Sequence, residues 1–257
     1  MSALLPDSSE RAAPRNLAGT LHGVGLGPGD PELMTVRAIR LIRAAGVVAW
    51  FAKRGRTGNA RTIIEGLLPS NAEQIALEYP MTTEAHFESA EYVSALSAFY
   101  DDAAAALAAR LSCGSDVLLV SEGDPFFYGS FMHVYIRLKD RFRVTVTPGV
   151  TGMAACWATS REPITWGDDV LCVLPATLSE AELTRRLSDA DAAVVMKLGG
   201  NCAKVRRAIE GAGLVDRAIY VERGSMPGEV VQPLAARATD DAPYFSMILV
   251  PGKGRRP

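Results

Sequence analysis

The chain has 257 residues, 48% of them hydrophobic, and its 27 Lys and Arg nearly balance 29 Asp and Glu for a formal charge of -2. That length fills one large core or two ordinary ones, and the balance excludes a global field drawing the chain to nucleic acid or an anionic membrane. Cys113, Cys156, Cys172 and Cys202, like His22, His86 and His133, are scattered without a CxxC pair, so we expect reduced, buried thiols in a cytoplasmic protein and no protein metal site.

Residues 1–20 carry Pro6, Pro14 and charges but no sustained apolar core, which reads as a flexible arm and not a secretory leader. Order begins with a strand at Leu21–Gly25. A glycine and proline turn follows, then a helix opened by Pro31 and Glu32 with Leu33, Val36, Ile39, Leu41 and Ile42 turned inward. Gly46 stops it before a strand through Val47, Val48 and Trp50. Arg37, Arg40 and Arg43 interrupt this first long apolar stretch, and no run reaches the roughly 18 apolar residues of a membrane span.

The alternation continues with a helix at Ala60–Leu68, a weak strand at Gln74–Leu77 and a long alanine-rich helix within 84–112. A strand at Val117–Val120, a helix at Gly129–Lys139 and a strand at Phe142–Thr147 complete an N-terminal α/β domain over residues 21–149. The pattern restarts over 150–257. There we read helices at Met153–Ala158, Ser179–Leu187 and Cys202–Ala212, with strands at Val170–Leu174, Ala192–Leu198, Ala218–Val221 and Phe245–Val250. The expected architecture is two α/β domains around a cleft, the first sheet mostly parallel and the second mixed, with a hinge near 147–155.

Three strand ends carry the chemistry. "GVGLGPGDPE" at Gly23–Glu32 has glycines between a strand and a helix, but it lacks the GxGxxG spacing and has no GKS or GKT ending. "EGDP" at Glu122–Pro125 repeats the "PGDP" of the first turn, and successive strand ends of a parallel sheet open on one edge. Gly123 and Gly129 allow close backbone approach, Asp124 offers an acceptor, and Phe127 and Tyr128 offer an apolar wall. "TPGVTGMAACWA" at Thr147–Ala158 supplies Thr151, an N-cap or a ligand contact. "FAKRGRTGNAR" provides Lys53, Arg54, Arg56 and Arg61, suited to receive carboxylates or simply to keep the surface soluble.

Together "GLGPGDPELMT", "SEGDPFFYGSFMHVYIRL", "TPGVTGMAACWA" and "VVMKLG" resemble the tetrapyrrole methylases. "EGDPFFYGS" and "YPMTTE" (Tyr79–Glu84) are most similar to the branch that methylates C20 of precorrin-2. The resemblance implies S-adenosylmethionine as methyl donor, S-adenosylhomocysteine as product, and a homodimer with both ligands in the interdomain cleft. It implies a cofactor site of Pro28, Glu122, Gly123, Asp124, Phe127, Thr151, Gly152 and Met196. Candidates for orienting the substrate or moving a proton are Asp124, Tyr128 and Tyr79, and a rim of Lys53, Arg54, Arg56, Arg61 and Arg161 would take the substrate's acidic side chains. Cobalt-factor II as substrate, another target carbon, and a tetrapyrrole-binding chaperone without turnover are the rival readings.

Overall fold

A computed structural model describes residues 18–80 and 90–254, with the side chains of Ala90 and Glu91 left aside. The expected arm at 1–17, most of "YPMTTE" and the expected start of the long helix lie outside them. The first sheet contains β1 (Thr20–Gly25), β2 (Val47–Lys53), β3 (Glu73–Tyr79), β4 (Val117–Ser121) and β5 (Arg143–Thr147). Its order is β3-β2-β4-β1-β5, and every pairing is parallel.

The helices α1 (Val36–Arg43) and α2 (Asn59–Ile63) cover one face over Val24, Ile42, Val48, Trp50, Ile64 and Val120. On the other face lie α3 (Ala90–Ser112) and α4 (Phe131–Leu138), which bury Leu21, Ala49, Leu107, Leu119 and Phe131. With helices on both faces, β4 is buried throughout, which explains its unbroken apolar run VLLVS.

The second sheet contains β6 (Leu171–Pro175), β7 (Ala192–Met196), β8 (Ile219–Glu222), β9 (Val230–Pro233) and β10 (Ser246–Val250). Its order is β6-β7-β10-β8-β9, with β6 and β7 parallel and the other pairs antiparallel. Of its helices, α6 (Glu180–Asp189) and α7 (Cys202–Gly211) seal one face around Leu183, Val195, Val205, Tyr220 and Ile248. On the other face α5 (Gly152–Ser160) packs Cys156 and Met153 against Val194, Val221 and Leu249. The chain therefore crosses from one sheet to the other between Thr147 and Gly152.

Some expectations change. Pro31 opens only a short 3-10 turn, and Thr35 caps α1 by accepting the Ala38 N–H at 3.1 Å, so Val36 faces outward at 84% exposure and Leu33 is also exposed. The α2 helix ends at Ile63 and not Leu68. β9 was missed because its two valines are about 40% exposed on a sheet edge and show no alternation. Cys113 is exposed, contrary to the expectation of buried thiols, whereas Cys156 and Cys202 are buried.

Candidate active site

Sheet order brings the three glycine turns together. β4, β1 and β5 are neighbours and run the same way, so Ser121, Gly25 and Thr147 end at one edge. The turns then lock to each other through backbone. Gly123 donates its N–H to Gly27 O at 2.7 Å, and Leu26 donates to Ser121 O at 2.9 Å. An added Cβ on Gly149 would sit 2.1 Å from Gly123 O, and one on Gly25 would sit 2.6 Å from Gly149 N. Both positions require glycine because backbone occupies the space of a side chain.

The repeated GDP triplet has one physical meaning at both turns. Proline lacks an N–H, so the preceding aspartate reaches the next one: Asp30 Oδ1 accepts from Glu32 at 2.8 Å, and Asp124 Oδ1 accepts from Phe126 at 2.8 Å. Asp124 differs from Asp30 in its other oxygen. Its Oδ2 accepts the Gly149 N–H at 3.1 Å and ties the second turn to the third. Both carboxylate oxygens thus accept from backbone, an arrangement that suits the orienting role expected of Asp124.

Glu122 ties in a fourth loop, accepting the Ala60 N–H through Oε1 at 3.1 Å at the start of α2. The residue keeps solvent access, and desolvation by the surrounding turns raises its pKa against the opposing hydrogen bonds from Ala60 and Asn59. Pro28 is buried between the left-handed Gly27 and Gly29. Gly123, also left-handed at φ +64°, presents an open face, since a Cβ there would find nothing closer than Gly152 N at 3.9 Å. Thr151 occupies the N-cap position of α5 without a side-chain cap bond, which leaves its hydroxyl for another partner. Ser121 Oγ is buried beneath these turns with no hydrogen-bond partner among the described residues.

Phe127 packs edge-on against Tyr128, with ring centroids 4.9 Å apart. Tyr79 ends β3 and joins its hydroxyl to Ser130 Oγ, which Tyr100 also reaches at 3.1 Å. Its ring lies among Phe51, Phe99 and Tyr100, and desolvation pushes the phenol well above its ordinary range. Its hydroxyl is thereby held on Ser130 at the wall.

The second domain packs against these turns. Met196 ends β7, partly buried, and its carbonyl accepts the Ala176 N–H at 2.8 Å. Met247 of β10 reaches over Gly152, and Met226 packs on Gly29, where a Cβ would meet its side chain at 2.6 Å. Tyr244 precedes β10 and was not foreseen. It is 74% exposed, and desolvation, with a smaller contribution from the Glu122 charge, raises its pKa. An aromatic after a lone proline in the loop before a strand gives no signal of this from local sequence.

The expected basic rim divides. Lys53, Arg54 and Arg56 sit at the C-terminal end of β2, beside β4, exposed and without an ion pair to any described residue. Arg61 instead bonds Gln74 Oε1 at 2.7 Å and lies 5.9 Å over the Trp50 ring, a packing role that corrects its place in the rim. Arg161 is the left-handed C-cap of the nine-residue α5, about 13 Å from the Thr151 turn, and it too leaves the cluster.

The tetrapyrrole (corrin/porphyrin) methylase family model matches residues 20–238, nearly the whole two-sheet unit with its three turns. The chain belongs to that family. A precorrin-2 C(20)-methyltransferase from Sinorhizobium sp. is 51% identical over 239 residues, covering 93% of this chain and 98% of that one. A cobalt-precorrin-2 C(20)-methyltransferase from Salmonella typhimurium is 30% identical, covering 90% and 96%. Among solved structures, a cobalt precorrin-4 methyltransferase superposes with a TM-score of 0.69 at 23% identity, covering 90% and 94%. A uroporphyrin-III C-methyltransferase from Thermus thermophilus, complexed with S-adenosylhomocysteine, gives 0.61 at 24%, covering 91% and 98%. This tetrapyrrole methylase therefore has the two-domain fold of its family, as the motifs led us to expect.

Proposed function

We propose that this tetrapyrrole methylase transfers a methyl group from S-adenosylmethionine to C20 of precorrin-2, yielding precorrin-3A and S-adenosylhomocysteine in cobalamin biosynthesis. The observation that carries the reading is the near full-length similarity to the Sinorhizobium enzyme, which spans both domains and all three turns. The residues at the cleft fit such a donor. Gly123 leaves backbone open, the Thr151 hydroxyl and the orphaned Ser121 Oγ are polar groups awaiting a partner, and Phe127 and Met196 supply apolar surface. Pro28, Glu122, Gly123, Asp124, Phe127, Thr151, Gly152 and Met196 would hold the donor, which when bound supplies an electrophilic methyl group.

The chain's own part is alignment, exclusion of water and handling of one proton. Asp124 is the positioning residue that keeps the second and third turns in register. Tyr79 and Tyr128 form wall. Methylation at C20 leaves a proton to be removed, and we assign its acceptance to Glu122, the carboxyl beside the second turn whose pKa is raised by desolvation. Lys53, Arg54 and Arg56 receive acidic side chains of the macrocycle. No thiol nucleophile is required, and burial pushes the Cys156 thiol up to about 12.

The same reading carries a cytoplasmic homodimer. Among the described residues no helix is long and apolar enough to cross a membrane. Cobalt-factor II is the second substrate to test, since the name of the Salmonella relative carries a cobalt-containing macrocycle, cobalt-precorrin-2. A chaperone without turnover would bind the macrocycle yet leave S-adenosylmethionine unconsumed. Incubation with each tetrapyrrole and the donor, followed by mass analysis, separates the three: a gain of one methyl on precorrin-2 supports the proposal, and none on either macrocycle overturns it.

A further inference from the structure

Five non-glycine residues have left-handed backbone: Tyr128, Arg161, Lys197, Arg223 and Ser225. Such conformations are uncommon and persist where surrounding structure enforces them. Four of the five lie where the two domains meet. Arg223 and Ser225 lie just before Met226, which packs on Gly29 of the first turn. Tyr128 and Lys197 meet each other directly, with the Lys197 ammonium 5.2 Å from the centre of the Tyr128 ring.

Lys197 follows the end of β7, one residue after Met196, and is exposed. Several other cations of the same domain have carboxylate partners: Arg206 pairs with Asp240 at 2.7 Å, Arg207 with Glu180 at 2.8 Å, and Arg186 with Glu182 at 2.6 Å. Lys197 has none among the described residues and rests on a π face alone. A φ of +61° is what aims this cation across the cleft at the loop bearing Glu122 and Asp124. An unpaired ammonium held by strained backbone over an aromatic ring is a prepared site for an anion, since a carboxylate pairs with it more strongly than the ring does.

We propose that Lys197 is a carboxylate receptor for the polycarboxylate macrocycle, resting on Tyr128 in the free enzyme and pairing with an acidic side chain of the bound substrate. The inference builds on the proposed function, and it adds a contact from the second domain opposite Lys53, Arg54 and Arg56. The donor's own amino-acid carboxylate is the other source of the same chemistry, and the kinetics separate the two. Lys197 is a binding residue here, with no part in the proton transfer.

Lys197→Met, Lys197→Arg and Lys197→Gly are compared with the parent enzyme for KM of precorrin-2, KM of S-adenosylmethionine, kcat and melting temperature. The expected result for Lys197→Met is a rise of about tenfold in KM for precorrin-2 with KM for the donor unmoved, and Lys197→Arg restores most of the loss. Lys197→Gly relieves the left-handed strain, so it melts higher while binding substrate as weakly as Lys197→Met. An unchanged KM for precorrin-2 in folded Lys197→Met overturns the proposal, as does a rise confined to KM of the donor.

Direct binding keeps this distinct from the reaction assignment. Should the parent enzyme transfer no methyl to precorrin-2, fluorescence quenching with the octacarboxylate uroporphyrin III still reads the contact. Weaker binding to Lys197→Met than to the parent supports the receptor, and equal binding refutes it.

Discussion

Replacing Asp124 with alanine removes the one side chain that joins the second glycine turn to the third. Its two oxygens accept from Phe126 N–H at 2.8 Å and Gly149 N–H at 3.1 Å. Hydrogen bonds to a charged group contribute about 1.5–3 kcal/mol, and partial exposure here favours the lower end, so the pair amounts to about 3 kcal/mol. In a chain of this length that lowers the melting temperature by about 6–12 °C.

Asp124→Asn keeps the Oδ1 acceptor for Phe126 but presents an NH₂ to the Gly149 N–H. It loses the link between turns and about half of the stabilisation, roughly 1.5 kcal/mol. Urea denaturation measures the stability and calorimetric titration of S-adenosylhomocysteine measures the site. Both variants should bind it more weakly, alanine more so than asparagine. An Asp124→Ala enzyme with parental stability and affinity would refute the clamp.

Gly149→Ala forces a Cβ to within 2.1 Å of Gly123 O, so the turns must part; we expect a loss of at least about 2 kcal/mol and of ligand binding, and a parental urea midpoint would contradict this. Glu122 has a pKa raised by the fold, so its contribution is most favourable below the unfolded carboxyl pKa and is lost as pH rises through the folded pKa. Glu122→Gln therefore flattens the fall in stability over that window and, if Glu122 accepts the proton, removes the acidic limb of kcat; an unchanged pH profile of kcat would return the proton to another group. Tyr79→Phe deletes a bond to Ser130, so urea denaturation should show a loss of about 1 kcal/mol while kcat stays near the parental value; a large fall in kcat would restore Tyr79 as a relay.

Much of the site was legible because it is local. Each glycine turn sits between a strand and a helix, and parallel sheet order alone brings their ends to one edge, so the convergence of the turns bearing Gly123, Asp124 and Thr151 was legible without coordinates. What Asp124 does was not legible. The bond to Gly149 N–H depends on β5 lying beside β1, a pairing between segments far apart in sequence.

The same limit explains Arg61 and Arg161, which share the charge of Lys53 but are turned to Gln74 and Trp50 or to the far end of α5. Val36 and Leu33 show the local counterpart. Apolar spacing suggested a helix from Pro31, whereas Thr35 caps three residues later and rotates Val36 out. Tyr244 and the Lys197 contact with Tyr128 arise only where two domains fold against each other, and no periodicity anticipates them.

The most direct test is anaerobic incubation of the purified, metal-stripped protein with precorrin-2 and methyl-labelled S-adenosylmethionine, followed by mass analysis and carbon NMR of the product. The account predicts one labelled methyl at C20. Label at a different carbon would contradict the regiochemistry, and no transfer with intact substrates and folded protein would contradict the assignment to metal-free precorrin-2.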